Sequence, residues 1–129
     1  MKLGYTIIYV SDVLATVEFY QRAFSIKLKF LHESNLYGEM ETGETTLAFV
    51  SEALAQMNDL QIRPNRVHDV PSGFEIAFVT NDVDRAFEIA IKEGAKPISS
   101  PAKKPWGQIV AYVSDVNGVL VEICEPMNT

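Results

Sequence analysis

The chain is poor in the residues that would settle a function at sight. Of its 129 residues one is cysteine, Cys124, one is tryptophan, Trp106, and two are histidines, His32 and His68. A single cysteine excludes an internal disulfide and any cysteine-rich zinc module. Its place inside an apolar run reads as a small buried hydrophobe. Basic residues are also short, 11 against 17 acidic ones, for a formal charge of −6. Neutralising phosphates needs the opposite excess, so neither nucleic acid nor an anionic membrane is expected as a partner. No apolar run approaches the ~20 residues of a membrane helix. The opening MKLGYTIIYVSD runs straight into strand pattern without a cleavable signal, so a cytoplasmic location is expected.

What is present is an ordinary globular balance, 47% hydrophobic and 22% charged residues, on a length that suits one compact domain or two half-domains sharing a core. Residues 4–10 are β-branched and aromatic, which predicts a strand with Tyr5, Ile7 and Tyr9 on one face. Ser11-Asp12 is an N-cap signal, and Val13, Val17, Tyr20 and Phe24 recur at helical spacing, so a helix is expected over 13–24. Strands are expected over 26–31, 36–41 and 45–50, joined by polar turns. A short helix over 52–58 then leads into a breaker-rich segment ending near Gly73. That segment holds Arg63, Arg66 and His68, which would meet an anionic ligand or simply form a solvated loop.

From Phe74 the order restarts. A strand is expected at Glu75-Ile-Ala-Phe-Val, a helix from Asn81-Asp82 to Gly94, and further strands over 96–99, 108–113 and 119–124, with a Pro- and Lys-rich loop over 100–105. Setting YTIIYVSDV (Tyr5 to Val13) over EIAFVTNDV (Glu75 to Val83) places Tyr5 over Glu75, Asp12 over Asp82 and Val13 over Val83. Thr46-Leu47-Ala48-Phe49 likewise falls over Leu120-Val121-Glu122-Ile123, Ala48 over Glu122. This is an internal repeat by order and spacing. Its last strand carries a carboxylate, Glu122, inside an apolar run. An unpaired charge there costs several kcal/mol, roughly, so Glu122 faces water or lines a site.

On the opening YVSDVLATVEFYQRAF and the close PWGQIVAYVSDVNGVLVEICEP, each heading one βαβββ unit or ending it, the chain resembles the vicinal oxygen chelate superfamily. That group holds glyoxalase I, extradiol dioxygenases, fosfomycin-modifying enzymes and bleomycin-resistance proteins. The resemblance implies an α+β fold of two βαβββ modules with curled mixed sheets around a shared cleft and helices outside. The modules would be residues 1–51 and 73–129, with 52–72 connecting them. It also implies a homodimer, the commonest closed assembly.

In members that do metal chemistry, ligands come from the first and last strands of each module. Carried over, those positions are Tyr5, Ala48, Glu75 and Glu122. Two of the four are ordinary metal ligands; the usual histidines are replaced by Tyr5 and Glu75, and the other carboxylate by Ala48. No metal or other cofactor is therefore expected, the alternative being a divalent ion held by Glu75 and Glu122. Without a cation, Glu75 and Glu122 facing each other would hold a proton near neutral pH and form the candidate catalytic couple, or would only bond neighbouring donors and line a wet pocket.

Tyr5, Ile7, Tyr9, Ala48, Trp106 and Tyr112 are the candidate ligand-binding residues, offering flat apolar surfaces to an aromatic or cationic molecule. Drug-binding members use such acidic, aromatic-lined clefts. The expected function is thus metal-independent binding or sequestration of a small, partly aromatic molecule. The alternative is a metal-dependent lyase, isomerase or dioxygenase of the glyoxalase type, and a domain whose surface only mediates protein contacts is a third reading.

Overall fold

A computed structural model describes residues 1–127. The chain divides into two units, Met1–Asn65 and the part from Arg66 onward. The boundary lies inside the segment expected to connect the modules; the expected second module runs to residue 129, and its last two residues lie outside the described ones.

In the first unit the alternating run forms strand β1, Tyr5–Val10, and the amphipathic run forms helix α1, Val13–Phe24. Asp12 caps α1 by accepting from the Ala15 backbone N–H at 3.0 Å, as its sequence position demands. The chain continues through β2 (Leu28–Leu31), β3 (Tyr37–Met40) and β4 (Thr46–Ser51) into a short helix, α2 (Glu52–Met57). The sheet order is β1-β4-β3-β2, with β1 and β4 parallel and the other pairs antiparallel. Helix α1 packs on β3 and β4. Val13, Val17, Phe19 and Tyr20 are buried there with Met40 and Phe49, and the Tyr20 and Phe49 rings lie 4.7 Å apart. Each such side chain contributes about 1.5–3 kcal/mol by leaving water. The approach is tight at Gly38, where a Cβ would stand 3.0 Å from Val17 Cγ2.

The second unit repeats the order with β5 (Ile76–Val79), helix α3 (Val83–Lys92), β6 (Lys96–Lys103), β7 (Ile109–Ser114) and β8 (Leu120–Cys124). Its sheet runs β5-β8-β7-β6, again with one parallel pair, β5 and β8. Asp82 caps α3 as Asp12 caps α1, accepting from the Arg85 N–H at 3.1 Å. Register makes the repeat quantitative: Ile7 pairs with Ala48 and Ala77 pairs with Glu122. Ala48 and Glu122 therefore occupy the same place in their sheets.

One element differs from expectation. Strand β6 continues to Lys103, through residues whose prolines and lysines predict a loop. It is an edge strand, so Pro97 and Pro101 forfeit no ladder to a further neighbour, and the register slips between Pro97 and Ser99 and again between Ser99 and Ala102 absorb them. Other boundaries agree within one or two residues.

Candidate functional site

Strand alternation gives each sheet a helix-bearing face and an open one. In the second sheet Ala111, Val113, Val121 and Ile123 are buried, while the other side carries one row of register partners, Ala77, Glu122 and Tyr112. Cys124 is two residues further along β8, and Glu75 immediately precedes β5.

Glu122 is the hub of this face. Its carboxylate hydrogen-bonds Glu75, Tyr112 and Cys124. Desolvation raises the Glu75 carboxyl above its ordinary value, and the charge and hydrogen bond of Glu122 raise it further. Glu75 is exposed as a residue, so the effect falls on its carboxyl end, where Glu122 stands. Desolvation also raises the Tyr112 phenol, with Glu122 adding to it, and pushes the buried Cys124 thiol up to about 11 with the same help. The thiol is thus a donor to Glu122 and a poor nucleophile. Lys104 Nζ lies over the Tyr112 ring, 5.9 Å from its centroid.

The open face of the first sheet carries a matching row, Ile7, Ala48, Glu39 and Phe30. Tyr5 and Ile7 stand on β1, 56% and 46% exposed, while Ala48 is wholly buried. Tyr9 pairs with Val50, which pairs with Tyr37. The Tyr37 hydroxyl donates to Glu39 Oε2 at 2.5 Å. Burial, followed by that bond and the Glu39 charge, pushes its phenol up to about 12, with a smaller contribution from Tyr5. Nothing in the sequence reading singles out Tyr37 or Glu39. The signal that finds them is the alternation in Tyr37-Gly38-Glu39-Met40, whose glycine is the residue forced against α1.

Trp106 belongs to a different place. It sits in the β6–β7 hairpin, its indole N–H donating to Gln108 Oε1 at 2.7 Å, while Gln108 Nε2 donates to the Glu125 carbonyl at 2.7 Å. With Asn81, Gly107, Gln108, Glu125, Pro126 and Met127 it lines a pocket of about 310 Å³, and neither Glu122 nor Tyr112 is among the lining residues. The structure therefore brings Glu75, Glu122 and Tyr112 together and places Trp106 apart from them. Neither histidine stands in these rows: His32 is in the β2–β3 turn, its ring centroid 6.3 Å from that of Phe30 and its Nδ1 2.7 Å from Ser34 Oγ, and His68 is exposed with Arg63 and Arg66 in the connecting segment.

The donor set of the second sheet fits a metal ion poorly. A carboxylate offers about four lone-pair directions, and Glu122 already engages a phenol, a thiol and a second carboxyl. Its equivalent in the first sheet is an alanine, and among the described residues no three His, Cys, Asp or Glu side chains form a metal-holding group.

Comparison with known proteins places this geometry in a family. Residues 3–128 match the family model described as a glyoxalase-like domain. A curated relative, the uncharacterized protein YraH of Bacillus subtilis (strain 168), is 27% identical over 125 residues, covering 95% of this chain and 97% of its own. Among solved structures, a glyoxalase-related enzyme from Fulvimarina pelagi superposes with a TM-score of 0.83 at 17% identity, over 98% of this chain and 88% of that one. A glyoxalase/bleomycin resistance protein/dioxygenase family enzyme from Burkholderia phytofirmans PsJN gives 0.78 at 20% identity, over 98% and 100%.

Proposed function

The chain belongs to the glyoxalase-like domain family, and within it we propose that this protein binds a small, partly aromatic molecule without a metal, using the open faces of its sheets. The observation that carries the reading is the hydrogen-bonding of Glu122. A carboxylate that serves three side-chain partners of its own unit is organised to present a polar, phenol-flanked surface, and an ion would have to displace those partners. Tyr5, Ile7 and Tyr9 supply flat surface for an aromatic group on the first sheet, as Tyr112 does separately on the second. A two-fold homodimer belongs to the same proposal, and sedimentation at micromolar concentration checks it.

A second reading has one observation in its favour. A Glu75 carboxyl raised by burial and by Glu122, with the Tyr112 hydroxyl on the same carboxylate, is the arrangement of an acid–base couple, so proton transfer on a bound molecule, again without a metal, is the alternative.

Elemental analysis of protein purified without chelator, followed by titration with Zn, Ni, Mn and Fe(II), tests the metal-independent reading. Substoichiometric metal and flat titrations are expected. Stoichiometric binding that is abolished by Glu122→Gln would overturn it.

A further inference from the structure

The first sheet carries a carboxylate that the second-sheet cluster does not use, and its surroundings specify a charge type. Glu39 stands in the middle of the open face, with Ala48 on one side and Phe30 on the other. Register partners bring side chains within about 5 Å at Cβ. Phe30 is 47% exposed, and its ring centroid lies 6.4 Å from that of Tyr37, whose hydroxyl is hydrogen-bonded to Glu39. The carboxylate is thus flanked by two aromatic rings, one of them open to solvent.

Three features make this a place for a cation from outside. Among the described residues the Tyr37 hydroxyl is the hydrogen-bond partner of the Glu39 carboxylate, and no ion pair neutralises it. Lys29, which lies in the slip in register between Leu28 and Phe30, makes no ion pair with it. That bulge also re-aims the strand locally, a device concentrated beside binding sites. In the second sheet, by contrast, the Lys104 ammonium lies over the Tyr112 ring, so that face already holds a cation of its own.

The geometry points to a subsite for an organic ammonium group at Glu39, Phe30 and Tyr37. The ammonium meets the Glu39 carboxylate and the face of Phe30, since aromatic faces attract cations through their quadrupole. The exposed Tyr5 and Ile7 on β1, on the same face, take the apolar remainder of the molecule. The subsite deepens the small-molecule reading by naming the ligand class as an amine or quaternary ammonium compound with an aromatic or apolar body.

Two probes of equal shape test it at pH 7: 2-phenylethylammonium, and 2-phenylethanol as its neutral counterpart. Calorimetric and NMR titrations of the full chain should give the ammonium about tenfold tighter binding, with shifts centred on Phe30, Tyr37 and Glu39. Glu39→Gln should erase the preference, and Phe30→Ala, at a half-exposed edge position, should weaken the ammonium alone by about fivefold; thermal melts confirm that both variants fold. Equal affinity for the two probes would overturn the ammonium subsite while leaving small-molecule binding standing. Shifts centred on Tyr112 and Glu122, unaffected by Glu39→Gln, would do the same. Failure of both probes to bind at millimolar concentration would overturn both readings.

Discussion

Glu39 is the register partner of Ala48, and in the second sheet the equivalent pair is Tyr112 and Glu122. Each row therefore holds one carboxylate, but it stands on the third strand of the first unit and on the last strand of the second. Each is also bonded to a phenol, Glu39 to Tyr37 and Glu122 to Tyr112. The phenols hold their protons more firmly than free tyrosine does, so each carboxylate has a neutral donor beside it. The two open faces then differ in their cations: Lys104 lies over Tyr112 on the second, and among the described residues no side chain forms an ion pair with Glu39 on the first.

The Glu75 carboxyl gives a pH signature. Its affinity for a proton is higher folded than unfolded, because desolvation and Glu122 raise it above its ordinary value of 4.5. Its contribution to stability is fully present below that value and is lost as pH climbs through the raised one. The melting temperature of the wild type should therefore fall relative to Glu75→Gln between pH 4.5 and neutrality. Glu122→Gln removes the second and third causes but not desolvation, so it should reduce the slope without abolishing it. Parallel curves for wild type and Glu75→Gln would show that folding does not raise the Glu75 carboxyl.

Cys124 reports on the same hub by reactivity. A thiol moved from 9.0 to about 11 has about a hundredfold less thiolate at pH 8, and the residue is 4% exposed. Ellman's reagent should leave the folded protein unlabelled for hours and label it at once in denaturant. Because desolvation is the larger cause, Glu122→Gln should quicken labelling by less than that hundredfold. Immediate labelling of the native wild type would contradict the burial and the hydrogen bond together.

Much of this was legible in the residues and some was not, for identifiable reasons. Asp12 and Asp82 announced the two helices because capping is local chemistry, and the matched strands announced the repeat because side-chain alternation survives divergence. The equivalence of Ala48 and Glu122 followed from that alignment alone. The continuation of β6 past Ser99 was hidden because Pro101 and the lysines after it read as a loop, and only the strand's place at the sheet edge, a tertiary fact, makes that proline tolerable. Glu39 was hidden because a carboxylate in a short strand looks like an outward-facing polar residue until register puts it beside Ala48. Trp106 was correctly read at the entry to a strand, but its neighbours come from residues 81 and 125–127, which no local pattern joins.

The Trp106 pocket makes its own prediction. The ring is held by the Gln108 amide yet is 62% exposed, so a planar aromatic molecule entering beside it needs no reordering of the indole. Such compounds should quench the fluorescence of this single tryptophan saturably. Gln108→Ala, which frees the indole, should weaken the effect by about fivefold. Quenching that stays linear with concentration across a varied panel would mean collisions in solution and no site.

The turn that delivers Glu122 to its row depends on a glycine in two separate ways. Gly118 has a φ of +90°, and a Cβ there would stand 2.2 Å from the Arg66 carbonyl oxygen, so the connecting segment lies directly on the β7–β8 turn. Asp115, buried, ties the same turn by accepting from the Asn117 and Val119 backbone N–H groups at 2.8 and 2.9 Å. Gly43 is the internal control: its φ is +94°, but a Cβ there would meet nothing within 4 Å. Gly43→Ala should cost only the conformational penalty, about 1–2 kcal/mol. Gly118→Ala adds the displacement of Arg66 and should cost about 3 kcal/mol or more, with NMR shift changes reaching Glu122. Urea denaturation of the two variants separates the terms. Equal losses would mean that the Arg66 carbonyl does not press on the turn, and that Glu122 is positioned by its own hairpin alone.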